Sequence, residues 1–298
     1  MFAEEASTDA GDISIPARSR NKALEWNLVL LSQGIESTTL MDPSTGEWRI
    51  TAPSDQLDFV RKTLQLYERE NRAWPFRREL PWIGFNFDWS VLAWIGMLSV
   101  TFLLQMRPGS ILESAGICNA GLVRAGEWWH LWTATTLHAD IGHLAMNAVF
   151  GFLFLGIAMG RYGSGLALIA ATVAGALANL VPTLWRESQA SALGASGVVM
   201  AGLGLIAAGT AVEYWQRKHP PRFILEIIVG GLLMFILVGV SPTSDVPAHV
   251  GGFLFGSIIG VPLALIPLTK IHAARLNWTA GFAYCVMMST AWITALWT

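Results

Sequence analysis

Seven long apolar segments follow residue 88, and no other feature constrains the fold of this chain as much. They lie near 89–106, 141–160, 164–184, 195–215, 223–241, 247–268 and 277–297. Each is close to the roughly 20 residues that a helix needs to cross a bilayer. Backbone polar groups must be satisfied internally in lipid, so helices are the expected form. The composition agrees: 53% of the 298 residues are hydrophobic, 13% are charged and fourteen are tryptophan, far too apolar for an ordinary soluble domain. Charge is unevenly spread, with 24 charged side chains in residues 1–88 and 16 in residues 89–298. A soluble N-terminal part ahead of a membrane part follows. The net charge of −2 gives no reason to expect a nucleic-acid partner. Cys118 and Cys285 are too few and too separated for a disulfide framework or a metal site. No basic stretch with a short apolar core and a small-residue cleavage site opens the chain, so no cleavable signal peptide is expected.

Residues 1–20 are polar and are expected to lack structure. Residues 21–80 read as a small soluble α-β-β-α module on the cytoplasmic side. Leu24, Leu28 and Leu31 fit one helical face between Asn21 and Gln33. Strand-like runs Ile35–Leu40 and Glu47–Ile50 flank the turn-forming Asp42-Pro43-Ser44-Thr45-Gly46. Pro53-Ser54-Asp55 then starts a helix with Leu57, Val60, Leu64 and Tyr67 on one face, and the module ends near Trp74-Pro75. It carries no catalytic cluster, and its partner is not named by the sequence. Residues 81–298 form the membrane domain.

Basic residues orient the spans. Arg69, Arg72, Arg77 and Arg78 precede the first, and Arg161 follows the second. Arg217, Lys218 and Arg222 join the fourth to the fifth, and Lys270 and Arg275 join the sixth to the seventh. The opposite loops hold only Arg107, Arg124 and Arg186. The N-terminus is therefore expected in the cytoplasm and the C-terminus outside. The long first outer connection, Arg107 to Asp140, contains Trp128, Trp129 and Trp132 and reads as a structured interfacial element.

Four polar residues in apolar settings share one depth. Ser196 precedes Arg217, and His249 precedes Lys270, by the same interval on spans running the same way. At about 1.5 Å per residue both lie roughly 30 Å above the inner boundary. His143 and Asn147 precede Arg161 on the second span at roughly 27 and 21 Å, on one helix face. A serine hydroxyl needs a base to become a nucleophile, and histidine has the appropriate acidity. His249 is the best base, because its level matches Ser196 and small residues surround it. Gly252, Gly256 and Gly260 recur every four residues, which allows close approach to a neighbour, and Gly197 and Gly204 offer a matching surface. His143, Asn147 and the Ser196 N–H are candidate donors to an oxyanion. Asp245, in a Pro- and Ser-containing loop, reads as solvated, so the arrangement expected is a Ser–His dyad.

Gly194-Ala195-Ser196-Gly197, Ala248-His249-Val250-Gly251-Gly252 and the run His138-Ala139-Asp140-Ile141-Gly142-His143-Leu144-Ala145-Met146-Asn147 together resemble the three signatures of rhomboid intramembrane serine proteases, in order and spacing. The resemblance covers roughly residues 85–298. It implies an all-α polytopic membrane protein, a six-helix core plus a C-terminal seventh span, here preceded by the small α+β module. It implies a catalytic Ser196 and His249, an oxyanion hole from His143, Asn147 and Ser196, and a structural His138. Gly194, Gly197, Met200, Gly252 and Gly256 are the structural residues near the site. Substrates implied are single-span or other transmembrane proteins in the lipid bilayer, cut near their outer ends. No metal or cofactor is expected. The expected location is a cell membrane, taken to be a bacterial inner membrane.

The chain departs from the family pattern at three places. His130 follows Trp129 where the family often has arginine, an apolar Met159 stands where a glutamate is common, and Met200 replaces an aromatic residue often packed beside the catalytic histidine. The competing reading is a proteolytically silent rhomboid-like protein that binds and escorts membrane clients; the presence of Ser196 and His249 argues against it. His130, His219 and His272 read as interfacial or exposed, and both cysteines as inert.

Overall fold

The computed structural model describes residues 6–7, 12–43, 45–71, 86–240 and 245–298. The chain divides into two units, residues 1–83 and 84–298. In the first, strands β1 (Ala6–Ser7), β2 (Asp12–Ala17), β3 (Thr38–Met41) and β4 (Trp48–Pro53) form an antiparallel sheet in the order β1-β2-β4-β3. Helices α1 (Arg20–Ser32) and α2 (Leu57–Asn71) complete it. The expectation that residues 1–20 lack structure is overturned over Asp12–Ala17: Ile13, Ile15 and Ala17 alternate into the core opposite Ala52, Ile50 and Trp48. That two-residue period is the strand signal the polar composition obscures.

The first helix also turns a different face inward. Ala23, Trp26 and Leu30 are buried, whereas Leu24, Leu28 and Leu31 are exposed. Trp26 decides the register, because its indole N–H donates to Glu68 on α2 at 2.9 Å while its ring fills the core. Ser19 starts the helix, its hydroxyl accepting the Lys22 N–H at 3.2 Å. On α2, Val60 and Leu64 are buried, with Leu57 and Tyr67 packed beside them. The expected module end at Trp74-Pro75 lies outside the described residues.

Among the described residues of the second unit, six helices are long and apolar enough to cross a membrane: α7 (Ile141–Tyr162), α8 (Ser164–Thr183), α9 (Ser196–Gln216), α10 (Pro221–Gly239), α11 (Val246–Leu265) and α13 (Ala274–Trp297). The first expected span is a shorter apolar helix, α3 (Val91–Gln105). A turn at Trp89–Ser90 delays its start, and the Asp88 N–H there donates to the Gly156 carbonyl on α7 at 3.1 Å. Its end is fixed by buried Gln105, whose side chain brackets the His138 peptide: Nε2 donates to the carbonyl at 3.0 Å and Oε1 accepts the N–H at 3.2 Å.

The connection after α3 is folded into short elements: α4 (Leu112–Gly116), β5 (Cys118–Asn119), α5 (Ala120–Arg124) and α6 (His130–Thr133). β5 pairs with β6 (Ser191–Ala192), tying this connection to the segment that leads into α9. A short α12 (Leu268–Ile271) precedes α13. The core of the unit is formed by α3, α7, α8 and α9, with Trp94, Leu98, Leu155, Ala171, Val199 and Leu205 among its buried residues.

Candidate active site

Glycines set the distance between α9 and α11. A Cβ added at Gly252 would overlap the Gly197 carbonyl, and one at Gly256 would overlap the Ala201 carbonyl. One at Gly260 would lie 3.1 Å from Leu205 Cα, and one at Gly204 would overlap the Phe253 carbonyl. The two backbones therefore touch along about two turns, as small residues spaced by four allow. The third helix of this cluster is α8, where a Cβ on Gly251 would sit 3.0 Å from Ala178 Cα. Ser196 precedes Gly197 by one residue and His249 precedes Gly252 by three. Each thus stands within a helical turn of the contact that joins their helices.

His249 is buried, and its Nδ1 lies 2.7 Å from the Gly239 carbonyl oxygen at the end of α10. A carbonyl only accepts, so Nδ1 carries the proton. In the neutral ring Nε2 is then left with a lone pair. The orienting group is thus a main-chain oxygen and not an acid. Met200 is fully buried, and its Sδ sits 3.3 Å from where a Gly239 Cβ would be. It fills the space behind the peptide that holds His249.

Ser196 opens α9, so its N–H is one of the helix's unpaired first-turn donors. Gly194, two residues earlier, has φ +129°, a conformation that favours glycine. A Cβ there would also come within 2.6 Å of His143 Cε1 and 2.7 Å of Nε2. The bare glycine is what lets the His143 ring lie against the turn that presents Ser196. The Gly194 N–H donates to the Ala134 carbonyl at 2.9 Å and fixes that turn.

Asp140 caps α7, accepting the His143 N–H at 2.8 Å. One turn on, Asn147 is buried and its Nδ2 has no hydrogen-bond partner among the described residues. A buried amide donor without an acceptor is unusual in a folded protein. His138 is fully buried, and its ring centroid lies 5.3 Å from that of His143. Burial, followed by the neighbouring His143, pushes its pKa down to about 4, against opposing effects of the Thr136 backbone and Asp140. It is a neutral ring at ordinary pH.

Several residues differ from their sequence reading. Asp245 is not solvated: it holds Arg186 with two hydrogen bonds, 2.7 and 2.5 Å, and caps α11 by accepting the Ala248 N–H at 3.2 Å. Burial raises the carboxyl pKa, but Arg186 and the Ala248 N–H more than offset this and leave it lowered. An Asp followed within two residues by Pro247 is the helix-start signal that could have revealed this. His130 is buried, with Nε2 3.0 Å from Glu127 Oε2, instead of exposed. Met159 is buried 3.7 Å from Ser90 Oγ, and the neighbouring Arg161 pairs with Glu213 of α9 at 2.8 Å. Cys118 agrees with its reading as inert: it is buried, and burial pushes its thiol up to about 12, which keeps it protonated. Gly239 had no signal at all, since a main-chain acceptor has no residue type.

Residues 125–265 match the family described as the Rhomboid domain. Over 173 residues the chain is 31% identical to rhomboid protease GluP of Bacillus subtilis, a match covering 55% of this chain and 33% of that protein. Over 188 residues it is 27% identical to rhomboid protease AarA of Providencia stuartii, covering 56% and 66% of the two. Over 216 residues it is 26% identical to Rhomboid-like protease 3 of Toxoplasma gondii, covering 69% and 80%. The chain spans about a third of the length of GluP and under half of RHOMBOID-like protein 4 of Arabidopsis thaliana.

Proposed function

The chain belongs to the rhomboid family of multi-pass membrane proteins, and from that premise we propose that it is an intramembrane serine endopeptidase working through Ser196 and His249. The observation that carries the reading is the His249 Nδ1 bond to the Gly239 carbonyl. It leaves Nε2 as the basic atom on the residue one turn from the α9–α11 contact. His249 Nε2 takes the Ser196 hydroxyl proton as Oγ attacks the scissile carbonyl carbon. The carbonyl π electrons move to oxygen, and the resulting oxyanion is met by the Ser196 N–H, Asn147 Nδ2 and His143. The positive end of the α9 dipole favours the same charge. Collapse of the intermediate breaks the C–N bond, and His249 gives its proton to the departing amine. Water then hydrolyses the Ser196 ester, with His249 again serving as base, and restores the hydroxyl.

Asn147 supports the reading from the other side of the reaction. Its buried donor has nothing to bond among the described residues, which suits a group whose acceptor arises only during the reaction. The substrates proposed are transmembrane proteins in the bilayer, cut near their outer ends. The location proposed is a bacterial inner membrane. The N-terminus lies in the cytoplasm and the C-terminus outside. The decisive experiment incubates the purified chain and its Ser196→Ala variant with a panel of single-span substrates. Cleavage by the wild type alone is the expected outcome; equal cleavage by both ends the serine-protease reading, and cleavage by neither favours a silent client-binding protein.

A further inference from the structure

We propose that Arg186 and Asp245 are positioning residues, an outer tie that holds the His249-bearing start of α11 against the connection leading to Ser196. Their role in the reaction rests on the dyad reading above; their role as a tie does not. The pair is bidentate, with Arg186 Nη1 donating to Asp245 Oδ2 at 2.7 Å and Nη2 to Oδ1 at 2.5 Å. Fork-on-fork pairs fix orientation as well as distance. Both side chains are about three-quarters covered, so the pair is less screened than an exposed one.

Each end of the pair is itself anchored. Asp245 Oδ1 accepts the Ala248 N–H at 3.2 Å, and its carbonyl accepts the His249 N–H at 2.9 Å. The first turn of α11, including the His249 peptide, is thus wound directly on the residue that Arg186 grips. At the other end, Arg124 of α5 donates to the Thr183 carbonyl, to the Arg186 carbonyl at 3.1 Å and to Ser188 Oγ at 2.9 Å. The two carbonyls lie at and just beyond the C-terminus of α8, where a cation is doubly favourable. The segment so pinned continues through β6 to Gly194 and Ser196, and is paired to β5 on the way. Deeper in the bundle the two helices are joined by apposed glycines, which set distance; at the outer end the ion pair sets the height of one helix start relative to the other.

The test uses the full-length protein in lipid nanodiscs, with Asp245→Asn, Arg186→Gln, the double variant and Arg186→Lys. Asparagine is as good a helix cap as aspartate and nearly the same size, so Asp245→Asn removes the pair and not the cap. Hydrogen exchange at the Ala248–Gly252 amides reads the tie whether or not the protein cleaves anything. Both single variants are expected to exchange faster there, with α7 unchanged and the double variant no faster than either single. If Asp245→Asn does not fold, Arg186→Gln against Arg186→Lys gives the same reading, with lysine intermediate. Unchanged exchange, or additive effects of the two singles, overturns the tie. Where wild type cleaves and Ser196→Ala does not, each single should lose about tenfold or more in kcat with KM little changed. A kcat equal to wild type in Asp245→Asn overturns the positioning role while leaving the dyad intact; normal cleavage by Ser196→Ala overturns the dyad and leaves exchange to decide the tie.

Discussion

The His249 imidazole is held at Nδ1 by the Gly239 main-chain oxygen, 2.7 Å away, in the position where an acid would complete a triad. A carbonyl carries no full charge, so it fixes the tautomer and ring angle without ion-pairing the imidazolium that the proposed proton transfer would form.

That relationship predicts an unusual sensitivity at Gly239. A Cβ there would lie 2.9 Å from Phe235 Cε2 and 3.3 Å from Met200 Sδ, so even alanine must displace the peptide or the ring. Gly239→Ala should lower kcat several-fold, and adding Phe235→Leu should recover much of the loss. Equal kcat in wild type and Gly239→Ala would detach the carbonyl from the chemistry.

If Ser196 and His249 form the proposed dyad, they should fail as one unit. Ser196→Ala and His249→Ala should each abolish cleavage of a single-span substrate, and the double variant should be hardly worse than either, because such losses are strongly non-additive. Single-turnover assays on the three variants check this. Multiplying losses would show two independent contributions.

Asn147 offers a separation of stability from rate. Its Nδ2 has no partner to lose among the described residues, so Asn147→Ala should leave the melting temperature nearly unchanged. A donor that serves only the oxyanion should cost at least about tenfold in kcat, or roughly 1.4 kcal/mol. A fall in melting temperature with kcat intact would make Asn147 a helix brace instead.

The legible part of this protein is the part written in side-chain periodicity. Gly252, Gly256 and Gly260 announce a close helix contact because only a missing Cβ allows one, and the glycines do lie against α9. Helix rise alone leads one to expect Ser196, His249, His143 and Asn147 in one outer layer, and the His143 ring does lie against Gly194 in the turn before Ser196. What escapes is written in the backbone or in long-range pairing. Asp245 cannot be seen to meet Arg186 because 59 residues separate them. The inward face of α1 is misread because three leucines outvote Trp26, whose bond to Glu68 comes from a helix far along the chain.

The glycine contact itself gives a stability prediction. At Gly252 the obstructing atom is the Gly197 carbonyl, main chain that cannot swing aside as a side chain would. Gly252→Ala should force α9 and α11 apart and cost about 1–3 kcal/mol, the usual range for overpacking. Ala248→Gly, on the same helix end but without such a clash to relieve, should not stabilise the protein. Thermal unfolding in one detergent compares them.

The final prediction concerns pH and follows from His138, which is fully buried with a pKa of about 4. An unfolded chain would protonate this ring below about pH 6.5, whereas the folded chain keeps it neutral until about pH 4. Above 6.5 both states hold the ring neutral and the contribution to stability does not vary with pH. As pH falls from 6.5 towards 4, the unfolded state binds a proton that the folded state refuses, so stability declines through that window and the loss levels off below it. The size is on the order of 3 kcal/mol across the window. His138→Gln, which is polar but cannot titrate there, should melt lower at pH 7.5 but vary less in melting temperature between pH 6.5 and 4. The difference between the two curves isolates this residue from the other histidines. Parallel curves for wild type and His138→Gln would mean that the buried ring takes up its proton in the folded state as easily as in the unfolded one.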